Sequence, residues 1–159
     1  MENLSERLKT IYKMVPKGIA ADIGADHGKL IIALFEGGVI SHGYAVENKK
    51  GPYNRLVKAL KERDLLDDIV PLFSDGIKDL PATVHNVIIA GMGGNLIIDI
   101  LKKYPKKTEQ IQTLIIDAHT CIPKVREEVS KLGFVIADEK MVREDDVFYE
   151  IIKFIRADV

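Results

Sequence analysis

The chain has 159 residues, 47% of them hydrophobic and 30% charged, with one cysteine and a net charge of −1. That length suits one compact α/β domain; the charge balance excludes a uniformly basic nucleic-acid binder, and a lone cysteine excludes an internal disulfide. No apolar stretch approaches the ~20 residues of a membrane span, and the N-terminus, Met1-Glu2-Asn3-Leu4-Ser5-Glu6-Arg7, lacks an apolar signal core, so a cytoplasmic protein without membrane contact is expected.

Residues 2–14 place Leu4, Leu8, Ile11 and Tyr12 or Val15 at helical spacing, which predicts an amphipathic helix stopping before Pro16. The apolar run 19–23 predicts a first strand. A helix from about His27 to Glu36 follows and ends at Gly37-Gly38. Residues 42–47 read as a second strand ending in Glu47. Gly51-Pro52 opens a helix with Leu56, Val57, Leu60 and Leu65 along one side. Ile69 to Phe73 is a short strand, followed by the turn Ser74-Asp75-Gly76. Asn86 to Ala90 is almost wholly apolar, as expected when both faces of a sheet are covered. Gly91-Met92-Gly93-Gly94 then leads into a helix from about Asn95 to Lys103.

Thr113 to Asp117 is another strand and Pro123 to Leu132 another helix. Phe134 to Lys140 and Val147 to Ile155 are strand-like with no helical pattern between them, so they should pair antiparallel. The sum is a Rossmann-like, mostly parallel sheet of about seven strands, with helices on both faces and an antiparallel closing strand. That closing hairpin is typical of class I methyltransferases.

Ligands in such sheets bind at the carboxyl ends of the strands. Four of those ends carry polar or glycine-rich residues: Asp22-Ile23-Gly24-Ala25-Asp26-His27, Glu47, Asp75-Gly76, and Ala90-Gly91-Met92-Gly93-Gly94. The first turn departs from the dinucleotide fingerprint, because Asp26 stands where the second glycine of G-x-G-x-x-G would admit a pyrophosphate. A carboxylate there suits a cationic or polar ligand. Glu47 suits ribose hydroxyls, and Asp75 an adenine amino group. Asp26 could equally be the N-cap of the following helix, Asp75 a turn cap, and the glycines mere packing. Cys121 has no nearby His/Asp partner pattern and is expected to be a buried small residue. No Cys/His grouping has metal-ligand spacing, so no metal is expected.

Ala21 to His27, Val87 to Gly94 and Phe148-Tyr149-Glu150-Ile151 resemble the bacterial tRNA adenine N1-methyltransferase family that modifies position 22. Leu4-Ser5-Glu6-Arg7-Leu8 and Gly51-Pro52-Tyr53 match it too, and the resemblance runs along essentially the whole chain. Two departures stand out. The family's further C-terminal helical region lies beyond the 159 residues of this sequence, which is expected to be either shortened or a reduced member, and its Leu-Gln-Pro-Asn after the fifth strand is replaced by Ile116-Asp117-Ala118-His119.

The resemblance implies one S-adenosylmethionine-dependent methyltransferase domain over residues 1–159, favoured as a monomer, with tRNA as partner. It implies cofactor contacts from Asp22, Gly24, Glu47, Asp75, Gly76, Ala90, Gly91, Met92 and Gly93. Asp26 and His27 would serve catalysis, and Lys49, Lys50, Asn95, His119 and Tyr149 the substrate. Salt-sensitive phosphate contacts are expected from Lys49, Lys50 and the N-terminal helix, whose basic residues include Arg7, Lys9 and Lys13. The alternatives are another RNA or small-molecule methyltransferase, a non-catalytic cofactor-binding module and, more distantly, an NAD enzyme.

Overall fold

The computed structural model describes residues 3–157. Seven strands form one sheet in the order β3-β2-β1-β4-β5-β7-β6. They are β1 (Gly18–Ile23), β2 (Ile40–Glu47), β3 (Ile69–Phe73), β4 (Asn86–Met92), β5 (Thr113–Ala118), β6 (Phe134–Glu144) and β7 (Val147–Arg156). The first five run parallel; β7 pairs antiparallel with both β5 and β6. Strand order reverses between β1 and β4, so the crevice of a doubly wound sheet opens above their carboxyl ends.

Side-chain alternation builds two cores from the same strands. Val87 and Ile89 of β4 and Leu114 and Ile116 of β5 face one core, while Ile88 and Ile115 face the other. This is why both strands read as unbroken apolar runs. The first core is covered by α4 (Gly94–Lys103) and α6 (Ile122–Lys131), with the short α5 (Pro105–Gln110) following α4 in the chain. The second is covered by α1 (Glu6–Met14), α2 (Lys29–Glu36) and α3 (Lys50–Glu62). No helix among the described residues is long and apolar enough to cross a membrane.

Several boundaries differ from expectation for local reasons. Ser5 caps α1 by accepting the Leu8 N–H, so the helix begins at Glu6; the expected start at Glu2 lies outside the described residues. Asp26 is not the N-cap of α2. Gly28, in the left-handed region, takes that position, and the helix begins at Lys29. The short α5, started by Pro105, carries only Thr108 as a buried residue and therefore showed no apolar period. Cys121 is exposed, not buried: it is the N-cap of α6 and holds a left-handed φ of 55°. The β6–β7 strands run nearly to one another, joined through Asp145 and Asp146, both at positive φ. A two-residue turn with both residues left-handed matches strand twist, and Asp tolerates that conformation.

Candidate functional site

The turn after β1 is fixed by its backbone. Gly24 has φ +78°, and its N–H donates to the Val46 carbonyl at 2.9 Å. A Cβ at Gly24 would meet only the movable Met92 methyl, at 2.6 Å, so it is the left-handed φ that favours glycine here. Asp26 follows at φ +52°, a conformation that Asp adopts more readily than most residues. Its backbone N–H donates to a Glu47 carboxylate oxygen, which ties the end of β2 to the β1 turn. The Asp26 side chain is exposed, 3.3 Å from His27 Nδ1 and 3.9 Å from Arg55 Nη2.

Three further carboxylates gather at the neighbouring strand ends. Asp22 is buried, and desolvation together with the nearby Glu47 charge raises its pKa from 3.8 to about 7. Glu47 is also buried and is pushed upward, chiefly by burial, while the Asp26 N–H pulls in the opposite direction. Asp75 behaves differently. Its Oδ2 accepts from Lys103 at 2.5 Å and from the Tyr104 hydroxyl at 2.8 Å, which hold it below the usual carboxylate range and leave Oδ1 free as an acceptor.

Two cavities meet at Gly24. One, of about 360 Å³, includes Arg7, Asp22, Asp26, His27, Gly91 and His119 in its walls. The other, of about 110 Å³, includes Glu47, Ser74, Asp75, Gly76, Met92 and Leu96. A ligand crossing Gly24 would therefore have one end among Asp22, Ala90 and Gly91 and the other between Glu47 and Asp75. Ser74 Oγ, buried without a hydrogen-bond partner, stands in the wall of the smaller cavity and suits a polar ligand group.

The glycines at the end of β4 and the start of α4 divide their labour. Gly91, at φ +81°, lies beside the larger cavity with open space where a side chain would go. Gly94 is instead required by packing: a Cβ there would sit 2.4 Å from the Thr120 carbonyl oxygen. Gly93 has Thr120 Oγ1 as its near neighbour and lines neither cavity.

Among the expected substrate residues, only His119 lines the larger cavity. Tyr149 stands behind it, with ring centroids 5.2 Å apart. Asn95 is exposed and accepts from Lys124 at 2.9 Å. Lys49 and Lys50 are exposed at the start of α3, away from both cavities. The sequence missed Arg7 and Asp117. Arg7 belonged to a basic cluster expected to meet phosphates, yet it turns inward to Asp117 and Glu144. An Asp in the otherwise apolar run Leu114 to Ala118 was the available signal.

A family model described as a methyltransferase domain matches residues 4–152. The chain belongs to this methyltransferase-domain family. The curated tRNA (adenine(22)-N(1))-methyltransferase of Bacillus subtilis (strain 168) is 30% identical over 151 residues, which cover 94% of this chain and 63% of the relative. The chain thus spans less than two thirds of that relative's length.

Two solved methyltransferases are similar throughout. The B. subtilis m1A22 tRNA methyltransferase TrmK has 30% identity and a TM-score of 0.93, covering 98% of this chain and 68% of its own. M. capricolum TrmK, in complex with S-adenosyl-homocysteine, has 26% identity and a TM-score of 0.87, covering 96% and 69%. Magnesium protoporphyrin IX methyltransferase from Synechocystis PCC 6803, at 14% identity and a TM-score of 0.75, shares the fold alone.

Proposed function

We propose that this methyltransferase domain transfers a methyl group from S-adenosylmethionine to N1 of an adenine in tRNA, at the position equivalent to 22. The observation that carries the proposal is the pair of cavities that share Gly24, with carboxylates in both walls (Asp22 and Asp26 in one, Glu47 and Asp75 in the other). The names of the TrmK relatives support the substrate. The cofactor's fit rests on this chain's own atoms. Gly24 presents bare backbone to both cavities, Ser74 Oγ has an unused hydrogen-bonding capacity, and Glu47 and Asp75 each present acceptors for hydroxyl or amino groups.

Asp22, Gly24, Ala90 and Gly91 would hold the methionine end; Glu47, Asp75 and Gly76 would hold the adenosine end. When bound, the cofactor supplies an electrophilic methyl on a sulfonium. The target N1 already carries an in-plane lone pair, so no base is needed to create the nucleophile, and the protein's main task is in-line placement. Reaching that edge of the base requires local opening or flipping of the tRNA. The methylated base becomes cationic, and Asp26 at the mouth of the larger cavity lies where a carboxylate offsets developing positive charge. His27 contacts that carboxylate and shapes the same wall. Lys49 and Lys50, solvent-facing beyond the site, serve phosphate contacts.

The deciding experiment is transfer of labelled methyl from S-adenosylmethionine to unmodified bacterial tRNA, followed by mapping of the product nucleoside. N1-methyladenosine in the D-arm region is the expected product. Calorimetric binding of S-adenosylhomocysteine with no transfer to any tRNA would instead favour a non-catalytic module.

A further inference from the structure

β5 is apolar from Leu114 to Ile116 and then places Asp117, 0% exposed, at its carboxyl end. Burying a carboxylate is costly unless it is paired and fully hydrogen-bonded. Here the compensation is incomplete. Oδ2 accepts from Arg7 Nη1, but Oδ1 has no hydrogen-bond partner. A buried charge so incompletely compensated points to a role beyond folding.

The partners of Asp117 supply one. Arg7 and His119 both line the larger cavity, whereas Asp117 lies behind them. His119 Nε2 is 3.7 Å from Asp117 Oδ2, longer than a hydrogen bond and within reach of one by a small turn of the ring, and the His119 backbone is pinned by donation of its N–H to the Met92 carbonyl at 2.8 Å. Arg7 is locked from its other side by Glu144, which accepts the Arg7 backbone N–H at 3.0 Å and lies 3.6 Å from Nε. Tyr149 packs against both, 5.5 Å from the guanidinium and 5.2 Å from the imidazole. One carboxylate thus organises two cavity-lining side chains drawn from different ends of the fold.

We propose that Asp117 is a positioning residue for the target base: it orients Arg7 and sets the His119 ring with Nε2–H toward the carboxylate, leaving Nδ1 as an acceptor for the 6-amino group of adenine. A carboxylate on one side of an imidazole fixes which nitrogen carries the proton. An acceptor at the base's 6-position favours an amino group and opposes the 6-carbonyl of guanine or hypoxanthine, so the same unit selects adenine. Arg7, already compensated by Asp117 and Glu144, then brings no uncompensated positive charge to a site whose product is a cation. The assignment rests on the tRNA-adenine reading above and names the residues that would enforce it.

The test combines a substrate change with a spectroscopic one, in the full-length protein. The wild type is assayed on tRNA carrying adenosine, purine riboside or inosine at the target position, beside Asp117→Asn, His119→Ala and the double variant. The adenosine-to-purine preference should fall roughly tenfold in His119→Ala, the scale of one lost hydrogen bond. Asp117→Asn should lower kcat/KM for tRNA roughly ten- to hundredfold, with S-adenosylhomocysteine affinity within about twofold of wild type, and the double variant should be little worse than either single one.

Ring ¹⁵N shifts should place the His119 proton on Nε2 in the wild type and lose that preference in Asp117→Asn. Wild-type transfer that Asp117→Asn matches, or an Nδ1–H tautomer in the wild type, would overturn this assignment alone. Absence of transfer by the wild type would overturn the substrate reading, and the assignment with it. Should Asp117→Asn fail to bind S-adenosylhomocysteine, the His119→Ala comparison decides: an unchanged adenosine-to-purine preference overturns the assignment, and a roughly tenfold fall sustains it.

Discussion

Replacing Asp22 by Asn should make the protein more stable at neutral pH while weakening its hold on the cofactor. Asp22 is only 5% exposed, and its folded-state pKa of about 7 stands against an ordinary value of 3.8, with burial the larger cause and Glu47 the second. The native state therefore binds this proton more tightly than the unfolded chain does. Stability contributed by the group is greatest below about pH 4, is lost progressively as pH rises toward 7, and stays lost above it. At roughly 1.4 kcal/mol per pKa unit, the full difference is on the order of 4 kcal/mol. Asn keeps the shape and cannot ionise. For a chain of this size, where 1 kcal/mol moves Tm by roughly 2–4 °C, Asp22→Asn should melt on the order of 10 °C above wild type at pH 8.

The advantage should fade to nothing near pH 4, and thermal melts across that range are the assay. Wild-type and variant curves that run parallel from pH 4 to 8 would refute the burial argument. Calorimetry supplies the functional half. A cationic ligand group beside Asp22 needs the carboxylate ionised, so wild-type affinity for S-adenosylhomocysteine should be roughly tenfold weaker at pH 6 than at pH 8, and Asp22→Asn should lose both the affinity and the pH dependence.

Asp26→Asn keeps a residue suited to the left-handed φ of 52°, so it should reduce methyl transfer by roughly 10²-fold at unchanged Tm, whereas Asp26→Ala adds backbone strain and should also lower Tm. Gly24→Ala should cost about 1–2 kcal/mol in chemical denaturation, because the φ of +78° strains a residue with a Cβ, and should sharply weaken calorimetric binding of S-adenosylhomocysteine, because Gly24 lines both cavities. Lys103→Met removes the partner that holds Asp75 Oδ2 and should weaken S-adenosylhomocysteine binding several-fold, with Tm changed by no more than a few degrees. Arg156→Lys should destabilise by about 1–3 kcal/mol in urea, since the guanidinium donates to the Thr108, Ile111 and Leu132 carbonyls and covers the Phe134 ring at 4.0 Å.

The sheet was legible because its signals are local and repeated. Apolar runs on β4 and β5, glycine stops after α2 and the patternless interval before β7 each constrain the chain within a few residues. The location of Glu47, Gly24 and Gly91 at one edge of the sheet was legible for the same reason: parallel strands bring their carboxyl ends together. Side-chain direction was not legible. Arg7 sits in an ordinary amphipathic helix, and only the packing of α1 over β6 and β7 turns it toward Asp117. The role of Asp26 as an N-cap failed because a left-handed Gly28 intervenes, a backbone event that the motif does not encode in spacing. Cys121 was misplaced because its type predicts burial, whereas its left-handed capping position puts it at the surface.

The crowding of acids at this edge explains how the site stays folded when empty and selective when filled. Asp22, Glu47, Asp75 and Asp26 all lie at the ends of β1 to β3, where four like charges would repel. Three separate devices relieve that repulsion. Asp22, with its pKa near 7, holds a proton for part of the time at neutral pH. Asp75 is compensated by Lys103. Asp26 faces solvent beside Arg55, while its backbone N–H serves Glu47. Only the first device is undone by a cation entering the larger cavity, because a positive group next to Asp22 lowers that pKa and expels the proton. Cofactor binding at pH 6.5 should therefore release a fraction of a proton, measurable as a dependence of the calorimetric enthalpy on buffer ionisation heat, and Asp22→Asn should abolish the release. An anionic, phosphate-bearing ligand gains nothing from that exchange, which is why the residue that spoils the turn for a pyrophosphate, Asp26, and the one that senses a cation, Asp22, belong to a single electrostatic design.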